Sequence, residues 1–525
     1  MSPRLPRALA VLAIAALALS GCAVASDPTW QPAPWPAAAV SIVDAPPPVD
    51  AASLGDLNGQ RLRNDTVGIQ ARYAFLPGDA PINDRVRELV WNAVHAASAR
   101  TGAAYTPQVF GADAGMRDRM CVTGSTLRAA SDLLDDAALG PGGPVGPAGP
   151  APGEGTALVC DVVAAAGDYF GERVRVVGSD GSDVSTVLYT DVSTGEVVTG
   201  DGLWTEAAPL ALWDDIVDAL RRQAGSLSLE PVQAPDAAGR ALIADALAHT
   251  APMGDGTLAV TLPAGFAAPE LAALGIGVTT VPETFAVAPD AAAPLLSTFG
   301  AGLVAAESSD TPFAAPAVVP AGFETVDCAL LPCLSLTYDD GPSTYTPTIL
   351  DAAKAHHVAV TFFAMGQKAV QYRDTLLREL AEGHLVGNHT WNHPHLPSLT
   401  PAQIQSEIAD TQVALAAADG STPVLFRPPY GEYDAVVEQK AGMPLVLWNV
   451  DSRDWTGKAD DQLITDVVTQ SRVGSIVLQH DIQPNTMRTV DAVYDGLHDR
   501  GFVLVNLKQL FGGTLPTAGV ISRGP

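Results

Sequence analysis

Two adjacent carboxylates follow an apolar segment in the last third of this 525-residue chain. Residues 334–338 have the composition of a strand, and Asp339 and Asp340 come directly after it, before Gly341 and Pro342. An Asp-Asp-Gly-Pro segment is most often a solvated turn. At the end of a barrel-type strand, however, one carboxylate can hold a metal while the other remains free as a base. The position therefore favours a metal site with a free carboxylate beside it.

Three of the chain's 10 histidines lie close together, at positions 389, 393 and 395. His389 and His393 are four residues apart. On a helical turn that spacing places both rings on one face, as two ligands of the same metal require. His395 could replace His393 as a ligand, but we interpret it as a spacer or rim residue.

Two more strand ends carry polar groups. Arg427 is followed by two prolines, which fix the backbone so that the N–H of Tyr430 can be held toward a substrate oxygen. The alternative there is a rigid turn with a surface arginine. His480 follows the apolar segment 475–479. An isolated histidine in this position is more often a core residue than a catalyst, but a carboxylate partner would raise its pKa and fix its tautomer, as a general acid requires.

Beyond Cys333, short apolar runs alternate with stretches of helical spacing. This alternation predicts an α/β fold with a parallel sheet, and at this length a distorted, incomplete (β/α) barrel. The expected strands are 334–338, 358–364, 385–387, 424–426, 445–450, 475–479 and 502–506. The expected helices include 347–356, 400–417 and 463–471, the second with Thr400 as N-cap and Pro401 at the first helical position.

Taken together, these motifs and the acidic segment around Asp454 resemble, in order and spacing, the five motifs of the polysaccharide deacetylase family. These carbohydrate esterases share a homology domain named after the nodulation chitooligosaccharide deacetylase. The resemblance covers about residues 328–511. It implies that Asp340, His389 and His393 bind a divalent metal, with zinc expected first and cobalt or manganese as alternatives.

The resemblance also implies a role for the remaining motif residues. Asp339 is the general base, and Arg427 pairs with it and tunes it. The metal and the N–H of Tyr430 hold the developing oxyanion. His480, oriented by Asp454, protonates the leaving amine. The substrate pocket, which takes the acetyl methyl, is lined by Trp455, Leu478 and Pro429.

The first 22 residues have the pattern of an export signal. Arg4 and Arg7 precede an apolar run over residues 8–19 that is too short for a permanent membrane span. The segment that ends at Cys22 resembles a bacterial lipobox, which implies diacylation of Cys22 and a lipid anchor in the outer leaflet of the membrane. A buried or disulfide-bonded Cys22 is the alternative. Residues 23–50 are rich in Pro and Ala and are predicted to form an extended tether.

Four further cysteines are even in number, as expected in an oxidising compartment. Proximity in sequence favours two disulfides, Cys121–Cys160 and Cys328–Cys333. A four-thiolate zinc site fits less well, because the two pairs fall in different predicted domains.

The predicted domains are an α+β domain over residues 51–306, a Pro-containing linker over 307–326, and the deacetylase domain over 327–525. The α+β domain contains strand-like segments at 67–75 and 174–189, helical segments at 83–100 and 210–223, and a mobile Gly/Pro loop at 139–155. Its segment 197–200 resembles extracellular sensor-type domains, which implies a wall-sensing role.

The charge balance narrows the choice of partners. The chain has 29 Lys and Arg against 58 Asp and Glu, a net charge of −29, which argues against nucleic acid as a partner. The expected function is hydrolysis of N-acetyl groups from a polysaccharide at the outer face of the membrane and in the cell wall, first of all N-acetylglucosamine of peptidoglycan. The alternatives are a chitooligosaccharide or acetyl-xylan deacetylase, and a glycan-sensing lipoprotein without catalysis.

Overall fold

The computed structural model describes residues 38–55, 57–136, 139, 151, 153–226, 230–420 and 422–525. The predicted export signal, Cys22, the first part of the predicted tether and most of the predicted 139–155 loop lie outside the described residues. Within the described ranges, no helix combines the length and apolarity that a membrane crossing needs.

The N-terminal part contains two sheets. The first is antiparallel, with the order β1-β10-β9-β8, and its strands are β1 (Val40–Val43), β8 (Ala251–Pro252), β9 (Leu258–Leu262) and β10 (Glu283–Val287). The second has the order β2 to β7, and its strands are β2 (Asn58–Asn64), β3 (Ile69–Phe75), β4 (Thr156–Ala166), β5 (Tyr169–Gly178), β6 (Asp183–Asp191) and β7 (Glu196–Thr199). Only β3 and β4 are parallel in this second sheet.

Seven helices accompany these sheets in the described residues. They are α1 (Pro81–Thr101), α2 (Ala130–Asp135), α3 (Ala208–Gln223), α4 (Ala237–Ala248), α5 (Pro269–Ala273), α6 (Pro289–Ala292) and α7 (Thr298–Ser308). In α1, Val86, Val90 and Val94 recur at helical spacing on one buried face, which packs in the same core as Phe170 and Val174 of the second sheet. Burial of this apolar stripe explains why the helix lies across the sheet.

The sequence predicted some of these elements, and the strand-like segment at 67–75 contains β3. The helical segments at 83–100 and 210–223 are α1 and α3, and the strand-like segment at 174–189 comprises β5 and β6. The predicted tether is wrong over its last residues, because the backbone of Val40–Val43 pairs with Glu283–Val287 and the N–H of Val49 donates to the carbonyl of Val162. Alternating Val and Ile residues can fill a sheet edge even when prolines follow them closely.

The C-terminal part is a parallel sheet surrounded by helices. Its central order is β13-β12-β11-β16-β15, and β17 pairs with the start of β11. The strands are β11 (Cys333–Asp339), β12 (Thr361–Ala364), β13 (Leu385–Asn388), β14 (Leu445–Val446), β15 (Val450–Asp451), β16 (Ile476–His480), β17 (Val503–Leu504) and β18 (Val520–Ile521).

The helices of the C-terminal part are α8 (Thr346–Ala355), α9 (Gly366–Gln371), α10 (Arg373–Ala381), α11 (Pro401–Asp419), α12 (Ala435–Ala441), α13 (Asp460–Gln470), α14 (Pro484–Asp499) and α15 (Leu507–Leu510). Thr400 caps α11 as predicted, in a reciprocal capping box with Gln403. The distorted, incomplete barrel expected from the sequence is confirmed.

Two predicted strands differ from the structure. Residues 424–426 contribute only isolated bridges at Phe426, to Asn388 on one side and Leu445 on the other. The predicted strand at 445–450 is two short strands, β14 and β15, which pair with different neighbours. Strands this short have a weak sequence pattern, so pairing with adjacent strands of the barrel decides where each strand begins and ends.

The N-terminal part contacts the barrel at the amino ends of its strands. Tyr105 donates its hydroxyl proton to the carbonyl of Leu330, just before β11, and Arg500 donates to the carbonyl of Phe110. Trp91 of α1 donates to Asp327 over 2.8 Å. These contacts leave the opposite edge, at the carboxyl ends of the strands, free for chemistry.

The two predicted disulfides, Cys121–Cys160 and Cys328–Cys333, are both present. The first joins residues 39 apart in sequence, so it restricts a long loop in the unfolded chain.

Replacing both Cys121 and Cys160 by Ser is expected to lower the free energy of unfolding of the N-terminal part by about 2–5 kcal/mol. Urea denaturation followed by tryptophan fluorescence measures this, and an unchanged midpoint would contradict it. The short Cys328–Cys333 loop, opened in a second variant, provides the comparison and is expected to cost less.

Candidate metal and hydrolytic site

The first two functional side chains lie on neighbouring parallel strands. In the register of β11 and β16, Asp339 is the direct partner of His480, and Thr337 is the partner of Leu478. Side chains two residues apart on a strand point to the same face. Asp339 and His480 therefore stand side by side at the carboxyl ends of the two strands, with Leu478 one step below His480.

Asp339 is fixed by a buried arginine. The guanidinium of Arg427 is fully buried and donates to Oδ1 of Asp339 and to Oγ1 of Thr337, each over 2.7 Å. Its remaining donors reach the carbonyls of Val446 and Leu447. Because Oδ1 of Asp339 is held in this way, the carboxylate has one defined orientation, with its Oδ2 3.8 Å from Nε2 of His389.

Three atoms that could bind a metal lie close together beside the Asp339–Arg427 pair. Nε2 of His389 and Nε2 of His393 each lie 3.4 Å from Oδ1 of Asp340. That oxygen is buried and accepts no hydrogen bond from any described residue. Nδ1 of His389 is 2.7 Å from the carbonyl of Arg427, which fixes the tautomer that leaves a lone pair on Nε2. One carboxylate and two imidazoles, with an unsatisfied oxygen between them, fit a divalent metal.

The predicted helical turn between His389 and His393 is wrong. Both residues lie in a loop after β13, and Thr390 and His393 have positive φ values of 68° and 65°. The loop is held from outside by Glu407 of α11, which accepts from the N–H groups of Trp391 and Asn392. The two rings, with centroids 5.0 Å apart, come together through this anchored loop rather than through helical spacing.

Left-handed backbone is concentrated around the site. Asp340, Thr390, His393, Tyr430 and Arg453 all have positive φ, and only two other described non-glycine residues do. This backbone conformation is unfavourable for residues other than glycine, so other contacts must offset its free-energy cost. Residues in this conformation are common at functional sites. The strain therefore marks positions where side-chain placement outweighs local stability.

His480 and Asp454 form a second buried pair. Oδ1 of Asp454 is 2.7 Å from Nδ1 of His480, and Oδ2 accepts from the backbone N–H of His480. Thr486 of α14 donates to the same carboxylate over 2.6 Å. Burial by itself lowers the pKa of His480, but Asp454 outweighs burial and raises it to about 9. At neutral pH His480 is protonated and can donate a proton from Nε2.

The electrostatics of Asp340 suit a metal ligand. Burial acts to raise the pKa of its carboxyl group, but the nearby His389 and then the charges of His480 and His393 lower it to about 2. The carboxylate is ionised at neutral pH.

The remaining predicted residues border the same edge. The ring of Tyr430 stands 4.5 Å from that of His393, and Pro429 is buried beside it. Trp455 is 59% exposed, whereas Leu478 is buried. His395 does not join the ligand cluster and pairs with Glu432 at the rim, as we interpreted.

Asp481 is a site residue that the sequence did not single out. Its carboxyl group is fully buried and lies against the turn that carries Asp340. A Cβ atom added at Gly341 in that turn would lie 2.0 Å from Oδ2 of Asp481. Burial raises the pKa of Asp481 to about 7. Thr346 donates to it, and the pair braces the turn that carries Asp340. No sequence signal distinguished Asp481 from a polar residue at a strand end.

One other group of potential ligands occurs in the described residues, formed by Cys121, Cys160 and Glu172. Its two sulfur atoms are joined in a disulfide, so they have no thiolate to offer a metal. Asp340, His389 and His393 are therefore the better metal site.

Loss of a ligand should weaken metal binding without unfolding the chain. His393 is the most exposed of the three, and its replacement by Ala is expected to reduce zinc affinity by at least about 10-fold to 100-fold. Isothermal titration of the metal-free protein with zinc measures the affinity. Replacement of His395 by Ala is the matched control, and equal zinc affinity in the two variants would contradict the assignment.

Comparison with known proteins agrees with this geometry. The family model described as polysaccharide deacetylase matches residues 329–446. A peptidoglycan-N-acetylglucosamine deacetylase of Listeria monocytogenes is 37% identical over 183 residues, covering 35% of this chain and 39% of the relative. The corresponding protein of Bacillus cereus is 33% identical, covering 34% of this chain and 68% of the relative.

Two shorter proteins match over most of their length. A chitooligosaccharide deacetylase of Rhizobium leguminosarum bv. trifolii is 35% identical, over 33% of this chain and 89% of the relative. A solved structure described as T48 deacetylase with substrate is 38% identical, over 38% of this chain and all of that chain, with a TM-score of 0.37. The chain belongs to the polysaccharide deacetylase family. It spans only 39% of the Listeria relative.

Proposed function

We propose that this protein hydrolyses N-acetyl groups of a cell-wall glycan, acting on N-acetylglucosamine residues of peptidoglycan. The observation that carries the proposal is the placement of Asp339 and His480 as register partners beside the Asp340, His389 and His393 cluster. Amide hydrolysis needs a base for the attacking water and an acid for the poor amine leaving group. Asp339 and His480, on neighbouring strand ends, can supply the two groups.

Asp339 acts as the general base. Its Oδ1 is occupied by Arg427, so Oδ2, which faces His389, takes the proton from the attacking water. Asp340, His389 and His393 would hold a divalent metal, which we propose to be zinc, and when bound it would supply Lewis-acid polarisation of the acetamide carbonyl and of the water. The N–H of Tyr430, the first after two prolines, stabilises the oxyanion.

His480 acts as the general acid. Its Nδ1 is engaged by Asp454, so the proton on Nε2 is the one given to the departing nitrogen, and the amine leaves as a free sugar amine. Trp455, Leu478 and Pro429 form the pocket for the acetyl methyl.

The proposed glycan rests on the relatives. The Listeria and Bacillus cereus proteins are named as peptidoglycan-N-acetylglucosamine deacetylases, and a Bacillus subtilis relative, 36% identical over 178 residues, is named as a peptidoglycan-N-acetylmuramic acid deacetylase. The Rhizobium relative supports a second candidate, a chitooligosaccharide deacetylase.

The location is part of the proposal. The N-terminal signal and Cys22 would place the chain on the outer face of the membrane with two acyl chains, which together anchor a protein stably. We further propose that residues 51–306, together with the strand Val40–Val43 that pairs with β10, form a wall-sensing domain, that 307–326 link it to the deacetylase domain, and that 327–525 form that domain. Radioactive palmitate incorporation that persists after Cys22→Ala would overturn the anchor.

The substrate is tested with the full-length, zinc-loaded protein. Acetate release is measured on peptidoglycan, chitooligosaccharides and acetyl-xylan, and mass spectrometry of muramidase fragments locates the sugar that has lost its acetyl group. We expect release from peptidoglycan, on N-acetylglucosamine. Release from chitooligosaccharides alone would favour the second candidate, and release from acetyl-xylan alone would overturn N-deacetylation.

A further inference from the structure

A pocket of about 400 Å³ opens directly beside the metal-ligand cluster. Asp340 and His393 form one wall of it, and Tyr345, Lys368 and Tyr372 lie among the residues of the other walls. This volume can take a hexopyranose ring in addition to the acetamido group at the reaction centre. The two tyrosine rings are half-buried and offer flat apolar faces with polar tips, which suits the C–H face of a sugar.

The backbone that carries Lys368 is fixed relative to the reaction centre. Just before it, the N–H of Met365 donates to the carbonyl of Gly341, and the N–H of Gly366 donates to the carbonyl of Thr390. These bonds join the start of α9 to both loops that carry the metal ligands. A substrate positioned by Asp340 and His393 is thereby also positioned against Lys368.

Lys368 also carries a charge that the protein does not neutralise. Within the described ranges, no carboxylate lies within 4.0 Å of its ammonium group, which stands 5.9 Å from the centroid of the Tyr372 ring. Of the other basic groups near this edge, Arg427 pairs with Asp339, Lys458 with Asp466 and Arg488 with Asp460, whereas Arg453 is exposed. In a chain with a net charge of −29, an unpaired cation beside the catalytic centre is available to a negatively charged ligand.

We propose that this pocket binds the glycan residue next to the N-acetylglucosamine being hydrolysed, and that Lys368 pairs with a carboxylate on that neighbouring residue. The carboxylate of the lactyl ether of N-acetylmuramic acid has the required chemistry. Because the two sugars alternate in peptidoglycan, an acidic neighbour in this pocket places N-acetylglucosamine at the catalytic centre. The inference rests on the proposed function and narrows its substrate.

Three substrates separate charge recognition from sugar binding. They are peptide-free glycan strands with free lactyl carboxylates, the same strands after conversion of the carboxylates to methyl amides, and neutral chitooligosaccharides. Wild type is compared with Lys368→Met, which keeps the stem and removes the charge, and Lys368→Arg, which keeps the charge. Lys354→Met, an exposed substitution on α8, is the control for net charge.

With Lys368→Met we expect kcat/KM on the carboxylate strands to fall about 10-fold, with the values for the amidated strands and chitooligosaccharides unchanged within about twofold. Lys368→Arg should retain most of the wild-type value, and added salt should reduce the difference between wild type and Lys368→Met.

An equal loss on all three substrates, or no loss on any, would overturn the pocket's role in carboxylate recognition while leaving the deacetylase assignment intact. Absence of acetate release by wild type from every glycan would overturn the proposed function, and the inference with it.

Discussion

Replacement of Asp339 by Asn is expected to reduce kcat for acetate release by about 10²-fold to 10⁴-fold with little change in KM. Asn cannot accept the proton of the attacking water, but its side-chain oxygen can still accept the hydrogen bond from Arg427. The buried guanidinium therefore keeps a partner, and the fold is expected to survive. Steady-state acetate release on the best glycan measures the effect.

Metal content and the thermal transition of Asp339→Asn are measured together with its rate. Both should match wild type, because Asp340, His389 and His393 are intact. Asp410→Asn, on the outer side of α11, is the matched control and should retain full activity. A wild-type rate for Asp339→Asn would remove Asp339 as the base. A lost metal would show that it acts in the ligand cluster instead.

Replacement of His480 by Ala is expected to reduce N-deacetylation by about 10²-fold to 10⁴-fold, while hydrolysis of 4-nitrophenyl acetate falls much less. An amine must be protonated as it leaves, whereas 4-nitrophenolate is stable enough to leave unassisted. Rates on a chitooligosaccharide and on the ester are compared for the same enzyme preparation. An equal loss on both substrates would show that His480 supports the fold or the metal rather than the leaving group.

The pH dependence offers a second test of the same pair. His480 has to be protonated to act as an acid, so activity is present below its pKa and is lost as the pH rises through it. Asp454 raises that pKa to about 9 in the metal-free protein, and a bound cation would lower it. The alkaline limb of kcat is therefore expected at or below pH 9, and Asp454→Asn should move it to lower pH. An unmoved limb would contradict the assignment of His480.

The sequence was informative where the pattern of residues lay within one strand or one helix terminus. Asp339, Asp340 and His480 end apolar segments, and carboxyl ends of parallel strands meet at one edge of a barrel. Thr400 and Pro401 likewise marked the start of α11 through local capping chemistry. In these cases the pattern and the feature that it predicts lie in the same short segment of the chain.

Other features depend on contacts between distant segments and left no local trace. The bend that brings His389 and His393 together is set by Glu407, which looks like any surface acid on a helix. Asp481 braces the Asp340 turn only because Gly341 leaves room for its carboxyl group. The strand Val40–Val43 forms because a partner more than two hundred residues later offers a sheet edge.

We propose that this edge of the barrel breaks amide bonds of an acetylated glycan. The most direct test measures acetate and newly exposed primary amines in the same reaction of the zinc-loaded protein with N-acetylglucosamine-containing glycan. We predict that the two products appear in equal amounts, and that both disappear in the His393→Ala variant. Acetate without amines would mean ester cleavage, and either that result or the absence of both products from every glycan tested would contradict the proposed amide hydrolysis.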